Sequence, residues 1–226
     1  RLPRLRLGAE RRAMSGRHDT ALIVFAKAPV AGLAKTRLIP ALGAEGAAAL
    51  AARLLRHTLA QGEAAGFGAL ELCATPDATH PALVAAAREH GAALAEQGEG
   101  DLGARMQRAL GRRLAAHARV LLIGTDAPAL DAAGLHAAAA ALGTHDAVFV
   151  PALDGGYALV GLSTHAPERL FTDIAWSTPR VMATTLERVA ELGLRTALLA
   201  PLPDIDEPAD LAHLPATWRD ELGAQP

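Results

Sequence analysis

Residues 119–125, Arg-Val-Leu-Leu-Ile-Gly-Thr, form an apolar run with no break between its polar flanks. A strand covered on one face alternates apolar and polar residues, whereas a short continuous run suits a strand buried on both faces. Such a strand needs helices above and below it, which directs the chain to the α/β class. Residues 21–26 (ALIVFA), 146–151 (DAVFVP) and 157–162 (YALVGL) read as further strands, as do 67–74, 92–95 and 195–200. Between them the apolar spacing turns helical. Leu50, Leu54, Leu55 and Leu59 make one stripe of a helix over 44–65, and helices are expected over 81–89, 102–117, 132–142 and 179–192, with a short terminal one. Thr178 reads as the N-cap of the 179–192 helix, with Pro179 at its first position. The sheet is therefore expected to be mainly parallel, with one late antiparallel hairpin turning at Asp154-Gly155-Gly156.

A chain of 226 residues, 51% hydrophobic, has enough apolar mass for one sizeable core. Residues 20–226 are read as one domain and 1–19 as a tail outside it, with Met14-Ser15-Gly16 a plausible start. Lys+Arg at 22 against Asp+Glu at 24, with 3% aromatics, argues against a nucleic-acid binder, which needs a basic face and stacking platforms. The single cysteine, Cys73, excludes an internal disulfide and a multi-cysteine zinc site, so a reducing cytoplasm is the expected compartment. No uninterrupted apolar run approaches the ~20 residues of a membrane helix, and the Arg-rich start lacks a signal's apolar segment. No membrane partner is expected, and the sequence leaves the oligomeric state open.

The strand at 21–26 empties into a loop containing Pro29, Gly32, Lys27, Lys35 and Arg37. Strand, cationic flexible loop, then helix is a common phosphate-binding arrangement, since backbone amides and the helix N-terminus favour anions. Solvated loop cations are the competing reading. The loop is not a Walker A motif, because Ala34 stands where the second glycine should precede Lys35-Thr36.

Three other places carry chemistry. Residues 98–103, GEGDLG, match Gly-x-Gly-x-x-Gly, but the preceding segment is short, and a loop with Asp101 as helix N-cap explains them better than a dinucleotide site. Asp126, after the central strand, stands where open α/β sheets place ligands, though Asp-x-Pro also begins helices. Asp204 and Asp206 would point the same way in an extended segment and suit a hard cation, though acidic residues also favour helix starts. Gly-x-Ser-x-Gly and His-Glu-x-x-His are absent, and the nine histidines show no ligand spacing, so a hydrolase is not indicated.

Taken in order, FAKAPVAGLAKTRL, GDLGARM, GTDAPAL, DGGYALVGL, WSTPRVMATTLERV and DIDEPADL resemble the radical-SAM/selenodomain-associated, arsenosugar-biosynthesis-type glycosyltransferase-like family. That family lies in the GT-A nucleotide-diphospho-sugar transferase superfamily, alongside phospholactate and molybdenum cofactor guanylyltransferases. The resemblance implies a Rossmann-like GT-A fold. It implies a transferase that passes a group from a nucleotide sugar, or alternatively a nucleoside triphosphate, to a small acceptor with Mg2+ or Mn2+. A non-catalytic nucleotide-binding module is the reading from another class. On the same basis Ala26, Lys27, Pro29, Gly32, Lys35, Arg37, Leu102, Gly103 and Asp126 would meet the nucleotide, and Asp126 and Asp206 the metal. Asp154, Gly155, Gly156, Tyr157, Trp176, Ser177 and Thr178 would face the acceptor, with Lys27, Arg37, Asp126 and Asp154 closest to the chemistry. Asp126 sits in Asp-Ala-Pro, a departure from the Asp-x-Asp of many sugar transferases.

Overall fold

The computed structural model describes residues 19–223, so the expected tail lies, apart from Asp19, outside the described residues, Met14 included. The elements run β1 (Thr20–Lys27), α1 (Ile39–Ala65), β2 (Ala69–Thr75), α2 (Pro81–Glu89), β3 (Ala93–Glu96), α3 (Leu102–Leu114) and β4 (Arg119–Ile123). They continue α4 (Ala132–Ala141), β5 (Ala147–Pro151), β6 (Tyr157–Leu162), α5 (Val181–Glu191), β7 (Thr196–Leu198) and α6 (Ala216–Gly223).

One seven-stranded sheet has the order β3-β2-β1-β4-β6-β5-β7. β1 pairs in parallel with β2 and β4, and β2 with β3. β6 runs antiparallel between β4 and β5, and β7 is parallel to β5. This is the expected α/β, mostly parallel sheet with a late antiparallel element. The continuous apolar runs have the expected cause. Alternate residues of β1 enter different cores: Leu22, Val24 and Ala26 pack with α1, α2 and α4, while Ala21, Ile23 and Phe25 pack with α3 and α5. A third cluster joins Leu38, Leu50 and Leu54 to Ile205, Leu214 and Trp218, fastening the C-terminal segment to α1.

Local differences have local causes. α1 begins at Ile39, ahead of the expected residue 44, because helical turns lie on both sides of a kink at Gly43 (φ 71, ψ 170). With the 3₁₀ turn before it, Thr36–Ala65 is the one described helix long and apolar enough to cross a membrane. Glu45, Arg53 and Arg56 interrupt it, so a search for unbroken runs passes over it. Its stripe of Leu50, Leu54, Leu55 and Leu59 is buried in the cores above, as in a helix that covers a sheet.

Thr178 is not an N-cap. α5 starts at Val181, and the Thr178 hydroxyl donates to the Ala175 carbonyl at 2.7 Å. Ser177, left-handed at φ 61, turns the chain there and delays the helix.

Candidate functional site

In open sheets, ligands sit beyond the carboxyl ends of the strands where the strand order reverses. In the order 3-2-1-4 that place lies between β1 and β4. Lys27 is the exposed last residue of β1, and Asp126 follows β4 by three residues. The 28–35 loop leaves β1 through Pro29 and Gly32 (φ 78). A Cβ at Gly32 would meet nothing, so its glycine answers a backbone need and not a crowded neighbour.

Lys35 holds the centre of the site. Its backbone is left-handed (φ 48, ψ 45), an uncommon state for a residue with a side chain. Its side chain is only 8% exposed, with Nζ 2.7 Å from Asp126 Oδ1 and 3.6 Å from Asp206 Oδ1. The ammonium also donates to the Ile205 carbonyl. Arg37, more open to solvent, donates to Asp206 Oδ2 at 2.6 Å. The Ile205 amide in turn donates to the Asp126 carbonyl at 2.8 Å. Asp210 Oδ2 accepts from the amides of Asp206 (3.0 Å) and Glu207 (2.7 Å), which fixes the backbone carrying Asp206. Lys35, Arg37, Asp126 and Asp206 thus form one cluster from three distant segments. Asp204 has a different environment: burial, then the nearby Asp154 carboxylate, pushes its carboxyl above the ordinary range.

Among the described residues no three His, Cys, Asp or Glu side chains group as a metal cage. The Asp126 and Asp206 carboxylates and the Ile205 carbonyl nevertheless converge on a single cation, the Lys35 ammonium. Hard oxygens in that number fit Mg2+ or Mn2+, which commonly take one or two carboxylates and complete their shell with phosphates and water.

The 98–103 loop follows the edge strand β3 and not the first strand of the chain, so it is not the dinucleotide turn its letters spell. Asp101 caps α3 by accepting from Ala104 N at 2.8 Å. Arg108 donates to the carbonyls of Gln97 (2.6 Å) and Glu99 (2.8 Å), and buried Gln97 donates to Cys73 O at 3.0 Å and Ala26 O at 3.4 Å. These bonds tie the loop to the end of β1, and nothing in the sequence singles out Gln97 or Arg108 for the task. Leu102 stands 41% exposed at the start of α3. Gly103 is packed inward: a Cβ there would lie 2.2 Å from Phe171 O and 2.8 Å from Trp176 Cζ2.

The expected acceptor residues gather on the other side. Asp154 is exposed and Oδ1 accepts from Gly156 N at 2.7 Å, while Gly155 O accepts from Met182 N at 2.8 Å. Gly155 (φ 93) approaches Pro179 so closely that a Cβ would fall 2.2 Å from its carbonyl oxygen. This contact brings the 154–157 turn and the 176–179 segment together. Leu153 N donates to Leu202 O at 3.1 Å, bringing the same turn to the stretch that carries Asp204 and Asp206. Tyr157 turns its hydroxyl into the core, 3.9 Å from Met106 Sδ, and burial pushes its pKa far up. Its ring meets Phe149 edge-on, centroids 5.4 Å apart, which makes it a packing residue.

Residues 58–178, more than half of the chain, match the family described as "Uncharacterized protein conserved in bacteria (DUF2064)". The chain belongs to this family. The matched span contains Asp126 and Asp154; Lys35, Arg37 and Asp206 lie outside it. A protein from Desulfovibrio desulfuricans G20, provisionally described as a nucleotide-diphospho-sugar transferase, is similar in sequence and structure. It has 30% identity and a TM-score of 0.76, over 88% of this chain and 87% of that one. Two more distant structures share the fold. One is glucosyl-3-phosphoglycerate synthase from Mycobacterium tuberculosis in complex with Mn2+, uridine diphosphate and glucosyl-3-phosphoglycerate (13% identity, TM-score 0.57, 99% and 81% covered). The other is CMP:2-keto-3-deoxy-manno-octonic acid synthetase complexed with CTP (12%, 0.56, 90% and 99%). No curated protein matches the chain in sequence.

Proposed function

We propose that this protein is a metal-dependent transferase using a nucleotide-activated donor, with a nucleotide-diphospho-sugar as donor and a small molecule as acceptor. The observation that carries the reading is the assembly of Lys35, Arg37, Asp126 and Asp206 where the strand order reverses. The match to the Desulfovibrio protein supports it.

In this reading the diphosphate lies across the 27–37 loop. Lys27 and Arg37, both reachable from solvent, neutralise its oxygens, and fixed cations of this kind stabilise charge that grows on a leaving group. Asp126 and Asp206 would hold a Mg2+ or Mn2+ ion, which would supply Lewis-acid stabilisation of the leaving diphosphate. The exposed Asp154 presents its Oδ2 oxygen toward an acceptor, its Oδ1 being engaged by Gly156 N. An acceptor oxygen attacks the sugar's anomeric carbon, the bond from that carbon to the diphosphate breaks, and a nucleoside diphosphate leaves.

A second reading is nucleotidyl transfer: an acceptor phosphate attacks the α-phosphorus of a nucleoside triphosphate and pyrophosphate leaves. Three cations in one short loop, in a fold shared with a CTP-bound synthetase, favour keeping it. A panel of nucleotide sugars and nucleoside triphosphates with Mn2+, scored by thermal shift and then by product release, separates the two. Diphosphate released from a nucleotide sugar supports the first reading, and pyrophosphate from a triphosphate the second. No response to any nucleotide would remove both.

A further inference from the structure

The chain contains 22 lysines and arginines, and 20 of them are arginine. Its two lysines flank one loop, Lys27 ending β1 and Lys35 closing the 28–35 loop after it. Lys27 is exposed, while Lys35 is held in a left-handed backbone with its amine sunk among oxygens. Those oxygens are the ones expected to take a divalent cation: Asp126 Oδ1, Asp206 Oδ1 and the Ile205 carbonyl. Asp126 Oδ1 at 2.7 Å from Nζ leaves no room between them for an ion that requires ~2.1 Å contacts. A divalent cation seated among these three oxygens must therefore displace the ammonium.

We propose that Lys35 is an internal stand-in for the metal, occupying the cradle while donor is absent and moving out to the donor phosphates when the divalent cation enters. This rests on the reading that Asp126 and Asp206 hold that cation. Lysine suits the part. Its ammonium is a compact point charge on a flexible four-carbon stem, whereas the arginine used elsewhere has a planar fork that needs a fixed bidentate partner. Before loading, Lys35 offsets the repulsion between two half-exposed carboxylates. Afterwards the same charge is free for the phosphates. Metal and donor then favour each other's binding, since each rewards the movement that the other requires.

Mn2+ alone is the probe, with two readouts that do not depend on turnover. In trace acetylation followed by mass spectrometry, Lys35 in the metal-free protein reacts slowly relative to Lys27. Mn2+ raises its labelling about tenfold and leaves Lys27 unchanged, within the range of ordinary coupling between sites. In electron paramagnetic titration of free Mn2+, Lys35→Met binds the ion about tenfold more tightly than the parent, and Lys35→Arg, which keeps a charge there, does not. Circular dichroism and melting confirm that each variant folds. Mn2+ binding to the parent without a change in Lys35 labelling, or with equal affinity in Lys35→Met, overturns the displacement and leaves the metal site standing. Absence of Mn2+ binding in parent and variant alike overturns both.

Discussion

The Ile205 amide donates to the Asp126 carbonyl at 2.8 Å, so the end of the central strand and the segment after the last strand share a backbone hydrogen bond. This link holds two carboxylates from distant parts of the chain against one lysine. It also makes the C-terminal segment part of the site as well as a cover for α1, since Ile205 is buried in the cluster with Leu38, Leu50 and Leu54.

Asp206→Asn keeps the shape of the side chain and removes its charge. Asp206 is 39% exposed, so the fold is expected to survive with little change in melting temperature. Metal-dependent nucleotide turnover is expected to fall roughly 100-fold, the scale of losing one group that stabilises developing charge. Turnover against Mn2+ concentration, beside a melting curve, checks it.

Gly103→Ala and Gly155→Ala each place a methyl group 2.2 Å from a backbone oxygen, of Phe171 and Pro179 respectively. Backbone yields less readily than a flexible side chain, and Gly155 is also left-handed. Each substitution is expected to cost about 3 kcal/mol, at the upper end of overpacking, as measured by urea denaturation. Gly32→Ala meets no atom within 4 Å and is expected to cost less, through backbone strain alone.

The buried Nε1–H of Trp176 has no hydrogen-bond partner among the described residues. Trp176→Phe removes an unsatisfied donor and keeps a ring beside Gly103, so stability is expected to stay within about 1 kcal/mol of the parent. Trp176→Ala, which empties the space, is expected to lose about 3 kcal/mol. Denaturant midpoints for the two variants distinguish packing from polarity at this position.

Asp146 receives bonds from Arg195 N (3.0 Å), Nε (3.0 Å) and Nη2 (2.8 Å), fastening the start of β5 to the approach to β7. The Arg195 side chain, then its amide, holds the Asp146 pKa down at about 2, against an ordinary 3.8. On acidification the unfolded chain takes up this proton first. The stabilisation is therefore complete above about pH 4 and lost as the pH falls toward 2. Asp146→Asn is expected to melt a few degrees lower than the parent at pH 7, with the gap closing across that acidic window.

The layers of the fold were legible because burial on both faces leaves a direct trace in composition. The runs around Val24, Leu121 and Val160 are apolar whichever way each side chain points. Boundaries set by one backbone angle left no such trace: Gly43 in α1 and Ser177 before α5 both moved a helix start. The loop cations and Asp126 stood out by position, each next to a strand end. Their union with Asp206 did not, because it depends on chain segments that only tertiary packing brings together. Asp204 and Asp206 illustrate this, since their shared spacing hides different neighbours. Gln97 and Arg108 were silent for a related reason: both act through backbone carbonyls, which every sequence possesses.

The sheet ends on β3, four residues long, and β7, three residues long. Its buried apolar strands, β1, β4, β5 and β6, all lie inside. A strand at a margin offers unpaired amides and carbonyls to any passing chain, and short margins offer few. Glu96 closes one border, and Arg195, clamped by Asp146, precedes the other. The molecule can therefore keep a deeply greasy interior sheet without giving a neighbouring copy a long template on which to grow a fibre.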